Sequence, residues 1–180
     1  MAQRSSVIKA QLQIADLDRH HYQDYNLTLA QHPSETQRRL LVRLLAFAAN
    51  ASEQLVFSSN LSDEGQPELS EKSLQGDYLL WIAFGQPDPK WLRKACQQSA
   101  RVRLYAYGGR ALPLWLQQQA KELKRLTNLE VFEITEKDLD AVEPFYERNL
   151  RLQCTLSDGQ LGLTNGLLSA EVELKPVAFN

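Results

Sequence analysis

Glu35, Arg39 and Arg43 recur at a spacing of four in the stretch HPSETQRRLLVRLLAF, residues 32 to 47. At about 100° per residue they share one stripe of a helix. A carboxylate in such a stripe can do one of two things. It can hold a divalent cation or a polar group at the edge of a site, or it can be neutralised by the arginines as an ordinary i,i+4 ladder. Ser34 with Gln37 three residues later is a capping-box pattern, which predicts a helix from Ser34 to about Asn50 with Glu35 in its first turn. Leu40, Leu41, Leu44, Leu45, Phe47 and Ala48 leave only a narrow polar window, so this helix is expected to be buried on most sides.

A second set of residues could bind a polyanion. Tyr105 and Tyr107 share a strand face and are followed by Gly108, Gly109, Arg110 and a helix. Junctions of strand, glycine and helix bind anions in many α/β folds, although neither the GxGxxG nor the GxxxxGK[ST] spacing is present. Tyr107 and Arg110, with Lys90, Arg93 and Lys94 nearby in sequence, could grip a phosphate backbone or stack unpaired bases. The plainer alternative makes Trp91, Tyr105 and Trp115 core residues and Arg110 a surface charge. His20, His21 and His32 lack metal-ligand spacing and read as surface or capping residues. Cys96 has no adjacent base to make it a nucleophile and reads as packed.

The elements that must position these groups follow from periodicity. SSVIKAQLQIADLD alternates and predicts a half-buried strand, paired with YNLTLAQH in a hairpin turned around DRHHYQD. After the first helix comes a short strand, EQLVFS, and then residues 59–76, the most loop-like stretch of the chain. DYLLWIAFG, bounded by glycines, predicts a central strand buried on both faces. Asp88 and Pro89 open a helix. RVRLYAY is a strand, RALPLWLQQQAKELKRL a helix, NLEVFEI a strand and EKDLDAV a short helix. Ser157-Asp158-Gly159-Gln160 marks the turn of a C-terminal hairpin, and LSAEVELKPVAF follows. The expected fold is therefore α/β, a mixed central sheet with flanking helices and β-hairpins at both termini, in one domain spanning residues 1–180.

The 180 residues are 43% hydrophobic and 23% charged, which excludes disordered and fibrous classes. No apolar run approaches the ~18 residues of a membrane span, and MAQRSSVIKAQLQ has no leader-like apolar core. Cys96 and Cys154 read as reduced thiols of a cytoplasmic protein, with a single bridge as the alternative. Net charge is −2, but residues 86–125 carry nine Lys or Arg against two acids, and residues 126–180 carry four against ten. A basic middle beside an acidic end suggests either a field directed at a polyanion or simply solvated helix surfaces.

Taken in order, ADLDRHHY, LTLAQHPSETQRRLLVRLLAF, LWIAFGQPD, RKA and YAYGGRALPLW resemble the YaeQ family of bacterial proteins, over nearly the whole chain. That resemblance implies a variant of the PD-(D/E)XK nuclease core. In such cores a helical Glu and strand acids hold Mg²⁺ or Mn²⁺, the metal activates water for phosphodiester attack, and a lysine assists. Glu35 matches the helical Glu, and Lys94 a lysine of the following helix. The family also carries Tyr, Arg and Trp at the positions of Tyr107, Arg110 and Trp115. The strand departs from the pattern, because Leu79, Ala83 and Gly85 stand where the family has Asp, Glu and Lys. Asp77, two residues upstream on the same strand face, is the remaining acid.

Two functions follow. The favoured one is a degenerate site used for non-catalytic binding of nucleic acid or protein, with no cofactor. Its nucleic-acid contacts would be Arg39, Arg43, Lys90, Tyr107 and Arg110, with the basic face of residues 86–125 as the nucleic-acid surface. The acidic 126–180 region is the place for a protein contact. The alternative is a nuclease with Glu35 and Asp77 weakly holding Mg²⁺ or Mn²⁺ and Lys94 assisting. Neither reading involves a membrane.

Overall fold

The computed structural model describes residues 4–58 and 65–179. Residues 59–64, the first part of the predicted 59–76 loop, lie outside the described residues. In chain order the elements are β1 (Ser6–Asp16), β2 (His21–Gln31), α1 (Gln37–Asn50), β3 (Leu55–Phe57), β4 (Leu69–Lys72), β5 (Tyr78–Phe84), α2 (Pro89–Gln98), β6 (Ser99–Ala106), α3 (Ala111–Leu123), β7 (Leu129–Glu133), α4 (Glu136–Val142), β8 (Asn149–Ser157), β9 (Gln160–Thr164) and β10 (Ser169–Glu173). The chain is mixed α/β, and it forms two five-stranded sheets rather than one central sheet with hairpins beside it. The strands fall into two compact units, one made of the chain through Ala51 plus Lys137–Leu174, the other of Ser52–Glu136 plus the residues from Lys175.

The first unit contains a sheet of order β10-β9-β8-β1-β2. The two terminal hairpins predicted from sequence are both present, and they join because β1 runs parallel to β8 from Lys9 opposite Asn149 to Asp16 opposite Leu156. Strict alternation puts Ile8, Ala10, Leu12 and Ile14 on the buried face of β1, with Leu150, Leu152, Cys154 and Leu156 on that of β8. Leu41, Leu44, Leu45 and Ala48 of α1 meet Leu12, Leu152 and Cys154 in the apolar interior. From Leu40 to Asn50 every residue of α1 is buried, as expected of a helix apolar almost all round.

Two acids tie the turns of this sheet. Asp16 continues the buried face of β1 and is fully enclosed. Its Oδ1 accepts from the Arg19 amide at 2.9 Å and its Oδ2 from Arg19 Nε at 2.6 Å. Asp18 reaches the other hairpin, where its Oδ1 accepts from the Asp158 amide at 2.8 Å. That second turn has φ of 52° at Asp158 and 74° at Gly159, the left-handed pair its Asp-Gly sequence predicts. The first turn ends at His20, so β2 begins at His21, earlier than the sequence suggests.

The second unit contains a sheet of order β3-β4-β5-β6-β7, with β5, β6 and β7 parallel. Strand β4 lies inside the predicted loop. It is a four-residue strand stabilised mainly by its neighbour β5, and so short a segment carries little periodic signal. Leu92 of α2 and Leu112 and Leu123 of α3 form a buried cluster with Leu104, Ala106 and Val131, against which Trp115 packs. β5 is central, but Leu79 at its start is 41% exposed, so only Leu80 to Ile82 are buried as expected.

Both thiols are free. Burial pushes the Cys96 thiol up to about 11 and that of Cys154 up to about 12, from an ordinary 9.0. The unfolded chain loses these protons first as pH rises. Their stabilising effect is therefore complete below pH 9 and is lost between pH 9 and the folded values. In the native protein at pH 8, Cys154 is expected to react far more slowly than an unfolded thiol with a disulfide reagent, with full reactivity on adding denaturant. Immediate reaction of both thiols in the native state would contradict this burial.

Candidate functional site

The residues around Glu35 are set by how α1 starts. Thr36, not Ser34, is the cap. Its φ of −71° and ψ of 156° are extended, and its Oγ1 accepts from the Arg39 amide at 3.1 Å. Ser34 instead bonds the ring of His32, whose Nδ1 lies 2.6 Å from Ser34 Oγ. Glu35 therefore precedes the helix rather than lying in its first turn. Its carboxylate folds back along the stripe that the sequence identifies. Arg39 Nη1 donates to Oε1 at 2.9 Å, and Arg43 Nη1 donates to Oε1 and Oε2 at 3.0 and 3.1 Å.

Burial decides what this pair is. The Glu35 side chain is 3% exposed and that of Arg43 is 1%, whereas Arg39 is 28% exposed. Both charges of the Glu35–Arg43 pair have lost their hydration, so each depends on the other. Arg43 Nη1 also donates to the Ala30 carbonyl at 3.3 Å. Gln31 Nε2 donates to the Glu35 carbonyl at 3.2 Å, and the Tyr146 hydroxyl donates to Gln31 Oε1. The sequence reveals the arginine stripe but not Gln31 or Tyr146, which are far apart along the chain.

The other candidates lie in the second unit. Asp77 closes the β4–β5 turn through its backbone, its amide donating to Ser73 Oγ at 3.2 Å, and its side chain is exposed. The face of β5 that follows is not open. Trp81 packs with Ala95 and Val102, and Ala83 lies against the cluster under α2 and α3. The two strand positions where the resemblance expects carboxylates thus hold Leu79, apolar and part-exposed, and Ala83, inside an apolar cluster. Mg²⁺ and Mn²⁺ require several oxygen ligands. Glu35 already gives both of its oxygens to guanidinium groups, and β5 carries no carboxylate. Among the described residues no three His, Cys, Asp or Glu side chains gather to hold an ion. These donors do not fit a catalytic divalent metal.

The basic residues are brought together in part. Asp88 caps α2, its Oδ1 accepting from the Lys90 amide at 2.9 Å, as its sequence predicts. Lys90 and Lys94 then place their ammonium groups 5.3 and 5.4 Å from the centre of the Trp91 ring. Arg93 donates to Glu122 of α3 at 2.8 Å across a groove of about 570 Å³ lined also by Gln86, Lys90 and Trp115. Tyr107 is half-buried, and its carbonyl accepts from Gln86 Nε2 at 3.0 Å. Arg110 is exposed and precedes α3 without a side-chain capping bond. At the junction itself Gly108 has φ of 138°, and a Cβ there would collide with Gln86 Nε2. A Cβ on Gly109 would come within 3.3 Å of Glu136 Oε1, so a carboxylate already lies beside the α3 approach where an anion would sit.

Comparison with known proteins covers essentially the whole chain. The family model described as "YaeQ protein" matches residues 1–174. The YaeQ proteins of Escherichia coli (strain K12) and Salmonella typhi are each 40% identical over 177 residues, covering 97% of this chain and 96% of theirs. The crystal structure of YaeQ from Xanthomonas axonopodis pv. citri superimposes with a TM-score of 0.92 at 38% identity, covering 98% of this chain and 99% of that one. The Pseudomonas syringae YaeQ structure gives 0.90 at 35% identity over 98% and 97%.

If the network around Glu35 is structural, its members should rank by burial. Arg39→Ala should cost no more than about 1 kcal/mol. Tyr146→Phe, which strands the Gln31 amide oxygen, should cost about 1–3 kcal/mol. Urea unfolding of each variant checks the order, and equal costs would contradict it.

Proposed function

The chain belongs to the YaeQ family, and from that premise we propose that it is a non-catalytic nucleic-acid-binding protein on a nuclease-like scaffold. The observation that carries this reading is the state of Glu35. In a metal nuclease that carboxylate must be free to hold a cation, whereas here two guanidinium groups occupy it. The parallel strands β5, β6 and β7 under α2 and α3 are compatible with a degenerate PD-(D/E)XK core, whose acids would have been replaced by Leu79 and Ala83.

Binding rather than catalysis falls to the second unit. Lys90 and Lys94 are exposed and converge on one indole, so their charges are held at a fixed spacing while remaining hydrated. Phosphate contacts of this kind give affinity without sequence preference and release counterions. Tyr107 and Arg110 would extend the contact. Asp88 and Glu122 line the same groove and limit its positive potential, so the expected binding is weak and strongly salt-dependent.

Fluorescence anisotropy with a labelled duplex oligonucleotide tests the reading. Binding should appear at low salt, and Lys90→Ala/Lys94→Ala should lower the slope of log K against log salt by about 1.8 for two lost phosphate contacts. Absence of binding, or an unchanged slope, would overturn it. Supercoiled plasmid incubated with Mn²⁺ should stay intact. Nicking that disappears in Asp77→Asn would instead establish the nuclease alternative.

A further inference from the structure

Among the described residues, the edges of the two sheets are not alike. On one side of the second sheet β3 is only three residues long. On the other, β7 is covered by the C-terminal segment, where the Val177 amide donates to the Val131 carbonyl at 2.7 Å and Phe132 bridges Pro176. In the first sheet, β10 is a five-residue edge carrying Glu171 and Glu173. Each of these is short, covered or charged, which are the usual protections against pairing with another chain. Strand β2, the other end of the first sheet, is neither short nor richly charged. It is eleven residues long, pairs with β1 without a bulge over its whole length, and reads HYQDYNLTLAQ, with no Lys, Arg, Pro or Gly and a single acid, Asp24.

Burial also stops short at this edge. Ala10, Leu12 and Ile14 on the inner face of β1 are at most 4% exposed, yet their partners Leu27, Tyr25 and Gln23 on β2 are only half-buried. We propose that the β2 edge is the surface on which a second copy of this chain docks, strand β2 antiparallel to strand β2. The sequence of β2 is self-complementary for that arrangement. Arg43 already holds the Ala30 carbonyl, which leaves His21–Leu29 for pairing. Placing Tyr25 on the two-fold axis sets Asp24 opposite Asn26, Tyr22 opposite Thr28 and Gln23 opposite Leu27. No like charges meet, and outward side chains pair with outward ones, as strand alternation requires. The two sheets would become one continuous sheet, and the two Tyr25 rings would cover the half-open inner face.

Sedimentation equilibrium of the full chain across the micromolar range tests the proposal. Wild type should sediment as a dimer, and Asn26→Glu/Thr28→Glu, which alters two exposed side chains and sets a second acid opposite Asp24 at both ends of the pairing, should be monomeric with an unchanged circular dichroism spectrum. Amide hydrogen exchange of wild type gives a reading without any substitution. Amides of β2 should become more protected as concentration rises, while those of β10 should not. A wild-type chain that stays monomeric with β2 exchange independent of concentration, or a dimer that survives both added glutamates, would overturn it. So would β2 protection that appears only when a different protein is added.

Discussion

A guanidinium in the middle of a helix buried on every side must have its charge met at the spot, and in this fold it is met by Glu35. Much of the first unit is arranged around that requirement. The chain between β2 and α1 has to turn back so that a carboxylate reaches Arg43, which moves the start of the helix to Thr36. The same guanidinium holds the end of β2 through the Ala30 carbonyl, and Gln31 anchors the Glu35 backbone while engaging Tyr146. Arg38, one turn away, is bonded to Asp140 and Glu143, whose carboxylates hold its guanidinium above its ordinary value. The start of α1 is thus pinned to the end of β2 by the hydrogen bonds of Arg43 and Gln31, and to the 140–146 segment by the more exposed ion pairs of Arg38 with Asp140 and Glu143.

The same interaction bears on function. A carboxylate that neutralises a buried arginine is committed. Releasing it to a cation would leave Arg43 charged and dehydrated. Leu79 and Ala83, at the strand positions where the resemblance implies acids, supply no second carboxylate, and a lone carboxylate has no use in metal-assisted hydrolysis. The exposed lysines on α2 are independent of that commitment and belong to the other unit.

How far the sequence foretold this depends on whether the deciding contacts are local. Asp88-Pro89 opens α2 and Asp158-Gly159 turns β8 into β9, because both signals act within a few residues. The pairing of β1 with β8 has no local signature, so the two terminal hairpins read as separate flanks. Ser34 and Thr36 are both favourable caps by residue type, with Ser34 slightly the better. What selects Thr36 is Glu35 folding back toward Arg43, a tertiary demand. Asp16 was legible in principle, as an acid falling on the apolar face of an alternating strand, but the partner that satisfies it comes from the turn. At Gly108 and Gly109 the glycines suggest an anion cradle. The structure fills that space with Gln86 and Glu136, which no local pattern announces.

The central claim is that Glu35 and Arg43 act as one buried unit, and a double-mutant cycle measures it. Glu35→Gln, Arg43→Met and the double variant would be unfolded in urea beside the wild type. Each single change should cost about 3–5 kcal/mol by leaving a buried charge uncompensated, and the double variant should cost much less than the sum of the two. Additive costs, or a Glu35→Gln variant more stable than wild type, would show that the carboxylate is not held for the arginine, and would reopen the question of what else it binds.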